Sequence, residues 1–429
     1  MINIYKWNET IPEIKEKIMT RAQADMKEIK SAVSEWIAEV KSSGDQGVLK
    51  YIQRFDDPDF QLNQLRVSKK DIDQAYKKIN PQVLKMIKEQ IRISQAFHKK
   101  QAQQIEKQWQ IETVPGVITG AKKVPIEAVG LYVPAGKAPL PTVAQILTVA
   151  AKAAGVPRKV VCFAPTGPHY EIIVAAVEAG ADELYRVGGI AAIAALTFGT
   201  DTIKPVNKIA GPGNPYVQAA KLQVVDKVGI DMLSGPSEAL IIADETANPE
   251  YLAADILARC EHGPDSAGVL ITISEEIAKQ TQAAIERQTP DLKRQNYIKE
   301  ALINYSAIIL VKTEQEMIDF ANEYSAEHLE IQTKDPQQIF SQIRNAGSVF
   351  IGEYAPVAVG DYASGTNHCL PTGVAPKFSS PIGVETFMKT IEFQTLTKEG
   401  LKNLQPIVQT VADIEGLDAH RESVNIRLK

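Results

Sequence analysis

The chain has 429 residues, 44% of them apolar and 23% charged, and 47 basic against 52 acidic residues leave a formal charge of −5. A chain of this length can bury at least one large core, and its composition is that of an ordinary globular protein rather than a disordered or fibrous one. The two signs of charge are mixed along the chain, which leaves no electrostatic footprint for nucleic acid or an anionic membrane surface.

The opening stretch "MINIYKWNETIPEIKEK" lacks the basic flank and apolar core of a secretory signal, and no run of about eighteen apolar residues follows that would span a bilayer. Residues 10–110 are rich in Lys, Glu, Gln and Ile at helical spacing, as in "EIKSAVSEWIAEVKSSG", which predicts a helical N-terminal region over 1–124. The texture then changes. "AVGLYVP", "KVVCFAP" and "ELYRVG" read as apolar strands, with "PTVAQILTVAAKAAGV" and "EIIVAAVEAGA" as helices between them. Apolar strands that do not alternate indicate a parallel sheet covered on both faces. This first α/β unit takes in 125–235. A second, over 236–380, is predicted from "SEALIIAD", "AGVLITIS", "SAIILVK", "EHLEIQT" and "SVFIGEY". Residues 357–380 form a long loop rich in Gly, Pro, Ser and Thr, a length often associated with function. From 381 to 429 the chain reads as a mostly helical tail with no sheet of its own, which must pack on this chain or on a second copy.

Cysteines are few and widely spaced. Cys162, Cys260 and Cys369 form no CxxC, so free thiols in a reducing cytoplasm are expected. Of the six histidines, His98 in "FHKK" and His169 before a helix are expected at the surface. The other four have carboxylates nearby in sequence: His262 follows Glu261, His328 follows Glu327, His368 lies seven residues after Asp361, and His420 five after Glu415. On a helix, Asp255, Arg259 and His262 share one face. These residues are the materials of a metal site or an acid–base site, although a histidine at a helix end is also simply a good partner for the helix dipole. The stretches "GLYVPAGKAPLP", "RVGGIAAIA" and "KIAGPGNPYV" are Gly-rich strand-to-helix turns that suit either close approach of backbone amides to a phosphate or a tight turn alone.

Taken in order, "GLYVPAGKAPLP", "VGGIAAIAALTFGT", "KIAGPGNPYV", "DMLSGPSEALIIAD", "CEHGPDS", "EHLEIQT", "GDYASGTNHCLPTG" and "EGLDAHR" resemble the histidinol dehydrogenase family. The resemblance implies an α/β fold of two Rossmann-like parallel-sheet domains in tandem, with a helical N-terminal region and a C-terminal helical tail that embraces the partner of a homodimer. It also implies a four-electron oxidation of L-histidinol through the aldehyde to L-histidine, with two NAD and one zinc ion per site. Carried over by position, His262, Asp361 and His420 match zinc ligands, and Glu327 and His328 match the catalytic pair. Ser237, His368 and Glu415 match substrate contacts, the zinc ligands and His328 also facing substrate, and Tyr132 and Asn214 match NAD contacts.

Four positions depart from the family pattern. Arg259 stands where the family has a glutamine zinc ligand, and a guanidinium has no lone pair to offer. It is expected either to turn away and pair with Asp255, or to receive an anionic group of another substrate, such as a sulfonated diol. Ala191 replaces a glutamine in the second Gly-rich turn, and Ala135 and Lys137 occupy positions usually held by glycine and a small hydroxyl residue. Lys137 could face the NAD phosphates, an acidic substrate or solvent.

Overall fold

In the computed structural model the described residues are 2–22, 26–135, 139–232 and 235–429; Lys137 lies outside them. The chain enters through a short strand, β1 (Asn3–Lys6), and then runs through helices as far as Pro81–Gln104. Two antiparallel strands follow, β2 (Gln108–Val114) and β3 (Val117–Pro125). The first α/β unit contributes β4 (Ala128–Val133), β5 (Arg158–Phe163), β6 (Glu183–Arg186), β7 (Lys208–Ala210) and β8 (Gly229–Ile230). The second contributes β9 (Glu238–Ala243), β10 (Ala267–Thr272), β11 (Ala307–Leu310), β12 (His328–Gln332) and β13 (Ser348–Ile351). The tail supplies β14 (Met388–Leu396) and the helices Lys398–Glu415 and Asp418–Leu428.

The apolar runs become strands buried on both faces. Every residue of β4, β9, β10 and β12 is buried, because helices cover both sides of each sheet and leave no face that water could reach. The first sheet has the order β6-β5-β4-β7-β8 and the second β1-β11-β10-β9-β12-β13, and every pairing in both is parallel. Each order reverses once, between β4 and β7 in the first sheet and between β9 and β12 in the second. At such reversals the crossover connections depart to opposite faces and leave a crevice.

Three expectations need correction. The tail is not without a sheet, since β14 pairs along all nine of its residues with β3, giving the antiparallel order β14-β3-β2. The N-terminal region is not wholly helical: β1 adds itself to the edge of the second sheet, and β2 and β3 form a hairpin. His98 and His169 are buried rather than at the surface. His98 bonds the Ser94 carbonyl at 2.9 Å, while His169 takes a left-handed conformation (φ 45°) and contacts Thr166 Oγ1 at 3.1 Å. All three cysteines are free, as expected, and all three are buried. No helix among the described residues is long and apolar enough to cross a membrane.

Candidate functional site

Six functional candidates converge at the amino edge of the second sheet, where β9 and β12 lie side by side with His328 opposite Ala239. Ser237 immediately precedes β9 and Glu327 immediately precedes β12. The helix Pro249–Cys260 starts beyond the carboxyl end of β9 and runs back, so its last turn brings Arg259 to the amino edge and leaves His262 just past the helix end. The helix Val357–Tyr362 does the same after β13 and delivers Asp361.

The polar contacts form one network. His328 Nδ1 lies 2.9 Å from the carbonyl oxygen of Glu238. A carbonyl only accepts, so Nδ1 carries the hydrogen and the lone pair of a neutral imidazole is on Nε2. That Nε2 has no hydrogen-bond partner among the described residues and lies 3.7 Å from Asp361 Oδ1. Burial and Arg259 oppose a charge on His328, but the Glu327 and Asp361 carboxylates outweigh them and hold the imidazole above its ordinary value. Glu327 Oε2 accepts from Ser237 Oγ and from the Glu238 amide, each at 3.0 Å. Burial works against the Glu327 and Asp361 charges, yet His328 and Arg259 keep both carboxyls below the usual range. His262 keeps an exposed edge, but the protein packed round it and Arg259 push its imidazole down to about 4. His368 comes from the 363–374 loop, its Nε2 without a partner among the described residues, and burial with the charges of Asp361 and His328 acts on its imidazole.

Arg259 does not turn towards Asp255. It is only 4% exposed and points into the site, donating from Nη1 to Ser237 Oγ at 2.6 Å and from Nη2 to Asp361 Oδ2 at 3.3 Å. Asp255 is engaged elsewhere, accepting from Gln332 Nε2 at 3.0 Å beside Glu330, and burial raises both of those carboxyls.

Sequence reasoning missed a second buried ion pair behind the catalytic candidates. Arg21 Nε lies 2.7 Å from Glu238 Oε2, with its guanidinium 3.6 Å from the centroid of the Tyr324 ring. Glu238 Oε1 in turn accepts from the amides of Glu327 at 3.1 Å and Gly373 at 3.0 Å. Glu238 therefore fixes the head of β12 and the end of the His368 loop together. Glu238 stands next to Ser237 in a strand otherwise wholly apolar, and that anomaly is the one sequence signal that marked it.

The carboxyl edge of the first sheet is built differently. Gly211 follows β7 at φ 130°, and a Cβ there would meet the Tyr132 carbonyl oxygen at 2.1 Å, so only glycine allows β4 and the 211–214 turn to approach so closely. A fully buried Lys221–Asp231 pair at 2.7 Å holds the turn, with Asp231 also accepting from the Gly211 amide. Asn214 is exposed and caps the helix Pro215–Gln223 through the Val217 amide at 3.1 Å. Tyr132 is buried, and its hydroxyl oxygen accepts from Gly189 at the start of the helix Gly189–Phe198. Ala191 is buried inside that helix and Ala135 is buried beyond β4. The glycine cradle at a strand reversal beside a helix N-terminus fits a dinucleotide. Ser237 follows Asp231 by six positions, a reach of at most about 22 Å, so this edge and the chemical edge are neighbours.

Glu415 and His420 are exposed on the tail helices and make no recorded contact with this network. The site residues of one chain do not fit the zinc ion that the resemblance implies. Among the described residues no three His, Cys, Asp or Glu side chains converge on one point, and the carboxylate of Asp361 is already held by a guanidinium.

The similarity to known proteins runs from end to end. A family model described as histidinol dehydrogenase matches residues 19–428. Histidinol dehydrogenase of Methanothermobacter thermautotrophicus is 42% identical over 416 residues, 96% of each chain. That of Methanocaldococcus jannaschii is 42% identical over 429 residues, 99% of each. The crystal structure of histidinol dehydrogenase from Elizabethkingia anophelis superposes with a TM-score of 0.93 at 35% identity, covering 100% of this chain and 98% of that one. A likeness of this extent embraces both sheets, the β14 tail and the edge where the buried charges gather, and the chain belongs to the histidinol dehydrogenase family of oxidoreductases.

Proposed function

We propose that the protein oxidises a small polar alcohol through its aldehyde to the acid, with NAD as acceptor and L-histidinol, the substrate in its relatives' names, as the alcohol. The observation that carries this reading is the His328 imidazole, with Nδ1 fixed on the Glu238 carbonyl beside the Glu327 carboxylate and Nε2, unpartnered among the described residues, facing Asp361. Bound NAD would accept hydride at the carboxyl edge of the first sheet, with Tyr132 and Asn214 on the turns that would hold it. His328 Nε2 takes the hydroxyl proton as the C–H hydride departs, and the resulting imidazolium is stabilised by Glu327 and Asp361. The aldehyde stays bound and excluded from bulk water. Glu327 then accepts a proton from a water that adds to the carbonyl carbon, while the His328 imidazolium returns its proton to the carbonyl oxygen, giving the gem-diol and a neutral imidazole again. The gem-diol gives up a second proton to His328 and a second hydride to a fresh NAD, leaving the carboxylic acid. Ser237 and His368 face the substrate.

Glu415 and His420 would reach this site only from a second copy. The tail supports that arrangement, since its helices leave Ile407, Ile414 and Ile426 more than half exposed. The zinc ligation that the resemblance assigns to His262, Asp361 and His420 carries no step here, because Arg259 already pairs with Asp361.

The test is purified protein with NAD and L-histidinol, followed by NADH absorbance and product analysis. Two NADH and one histidine per histidinol are expected, and the absence of turnover overturns the reading. A second reading, favoured by the buried Arg259, is the same double oxidation of an alcohol that bears an anionic group. NADH formation from a sulfonated or carboxylated diol, without turnover of histidinol, would select it.

A further inference from the structure

We propose that the guanidinium of Arg259 does the work of a metal ion in this chain, so that the site is organised by a built-in cation and needs no bound zinc. The argument begins with burial. Arg259 is 4% exposed in the last turn of its helix, where the helix dipole favours positive charge. A buried guanidinium is tolerable only with charged and hydrogen-bonding partners. It has two, the Asp361 carboxylate and the Ser237 hydroxyl. A divalent ion on Asp361 would take from the arginine the carboxylate it holds and set a double positive charge a few ångströms from a single one. Arginine stays protonated at any physiological pH and offers no lone pair, so it can neither step aside by losing its proton nor join the coordination.

The same contacts explain what the arginine supplies. Through Nη2 it fixes Asp361, whose other oxygen faces His328 Nε2 at 3.7 Å. Through Nη1 it fixes Ser237, whose hydroxyl donates onward to Glu327 Oε2 at 3.0 Å. One side chain thus ties down both carboxylates that flank the base. Its Nε–H has no partner among the described residues and is left as a donor. Holding acidic groups and orienting a ligand are tasks a zinc ion could perform, but a guanidinium cannot be chelated away.

The proposal shares Glu327 and His328 with the proposed function, and the test separates the two. The full chain is expressed in zinc-supplemented medium, dialysed against EDTA and analysed for metal, and then titrated with Zn²⁺ by calorimetry. The expected result is well under one zinc per chain before dialysis, no stoichiometric binding on titration, and an unchanged rate of NADH formation in EDTA. Arg259→Gln frees Asp361 and adds an oxygen donor. It is expected to gain zinc affinity by more than the roughly 10–100-fold that even outer-shell partners command. Arg259→Lys keeps the cation and should gain none. One tightly held zinc in the parent chain overturns the proposal, whether or not histidinol is turned over and whether or not the variants fold. Turnover of histidinol judges the proposed function alone.

Discussion

The two strand reversals of this molecule solve the same geometric problem with different materials. At the carboxyl edge of the first sheet, tightness comes from backbone: Gly211 presses on the Tyr132 carbonyl, and Asn214 and Tyr132 satisfy the amides that begin two helices. At the amino edge of the second, it comes from charge: Arg21–Glu238 and Arg259–Asp361 are buried on either side of Glu327 and His328. The first arrangement keeps its Lys221–Asp231 pair buried beneath the turn and leaves a cradle of backbone that a cofactor can enter and leave. The second fixes charges where protons must move. Substitutions at the two edges should therefore fail in different ways.

The largest effect is expected from His328→Asn, which keeps a donor for the Glu238 carbonyl but removes the base. kcat should fall by about 10²–10⁴-fold with little change in the KM for NAD. A comparable loss in NAD affinity would break the distinction between the edges. Next comes Arg21→Met, which leaves Glu238 buried without its cation and should cost about 3–5 kcal/mol in urea unfolding. Glu238 also predicts a pH dependence. Burial raises its carboxyl to about 7, despite Arg21 and with help from Glu327. The folded state then holds a proton that the unfolded chain releases near 4.5. This contribution to stability is present below that value and is lost as pH rises through about 7, with a slope of up to about 1.4 kcal/mol per pH unit. Glu238→Gln should flatten the stability profile between those limits, and an unaltered profile would remove Glu238 as its source.

At the other edge the effects are smaller. Gly211→Ala must open the contact with Tyr132 from a backbone conformation that suits glycine, at a cost of about 1–3 kcal/mol. The change should appear mainly as weaker NAD binding in a fluorescence titration, with kcat at saturating NAD largely kept. Asn214→Ala removes one helix cap, worth about 1 kcal/mol in thermal unfolding, and should be the mildest of the set.

How much of this was legible in the sequence follows from burial. The core strands of both sheets were readable because they are covered on both faces and so appear as unbroken apolar runs. β2 was not, since "QWQIETV" is exposed along nearly its whole length and carries no face pattern. β7 and β8 are too short, at three and two residues, to carry any pattern. Glu327, His328, Asp361 and His368 could be named because scarce histidines lie near carboxylates. The partner of Arg259 could not, because helical spacing offered Asp255 nearby, whereas tertiary folding brought in Asp361 from another helix. Arg21 and Glu238 lie 217 positions apart, and among 52 acidic residues nothing local marks Glu238 as its counterpart.

The strand Asn3–Lys6 joins the second sheet only through Ala307–Leu310. During synthesis it must wait until some three hundred further residues have left the ribosome before its partner exists. Such a closure is slow as well as late, because its entropy is spent before any contact rewards it. Arg21 travels on the same segment. The ion pair that steadies the head of β12 is thus among the long-range contacts of the chain, and proton chemistry at His328 is an ability that a newly made molecule acquires near the end of folding.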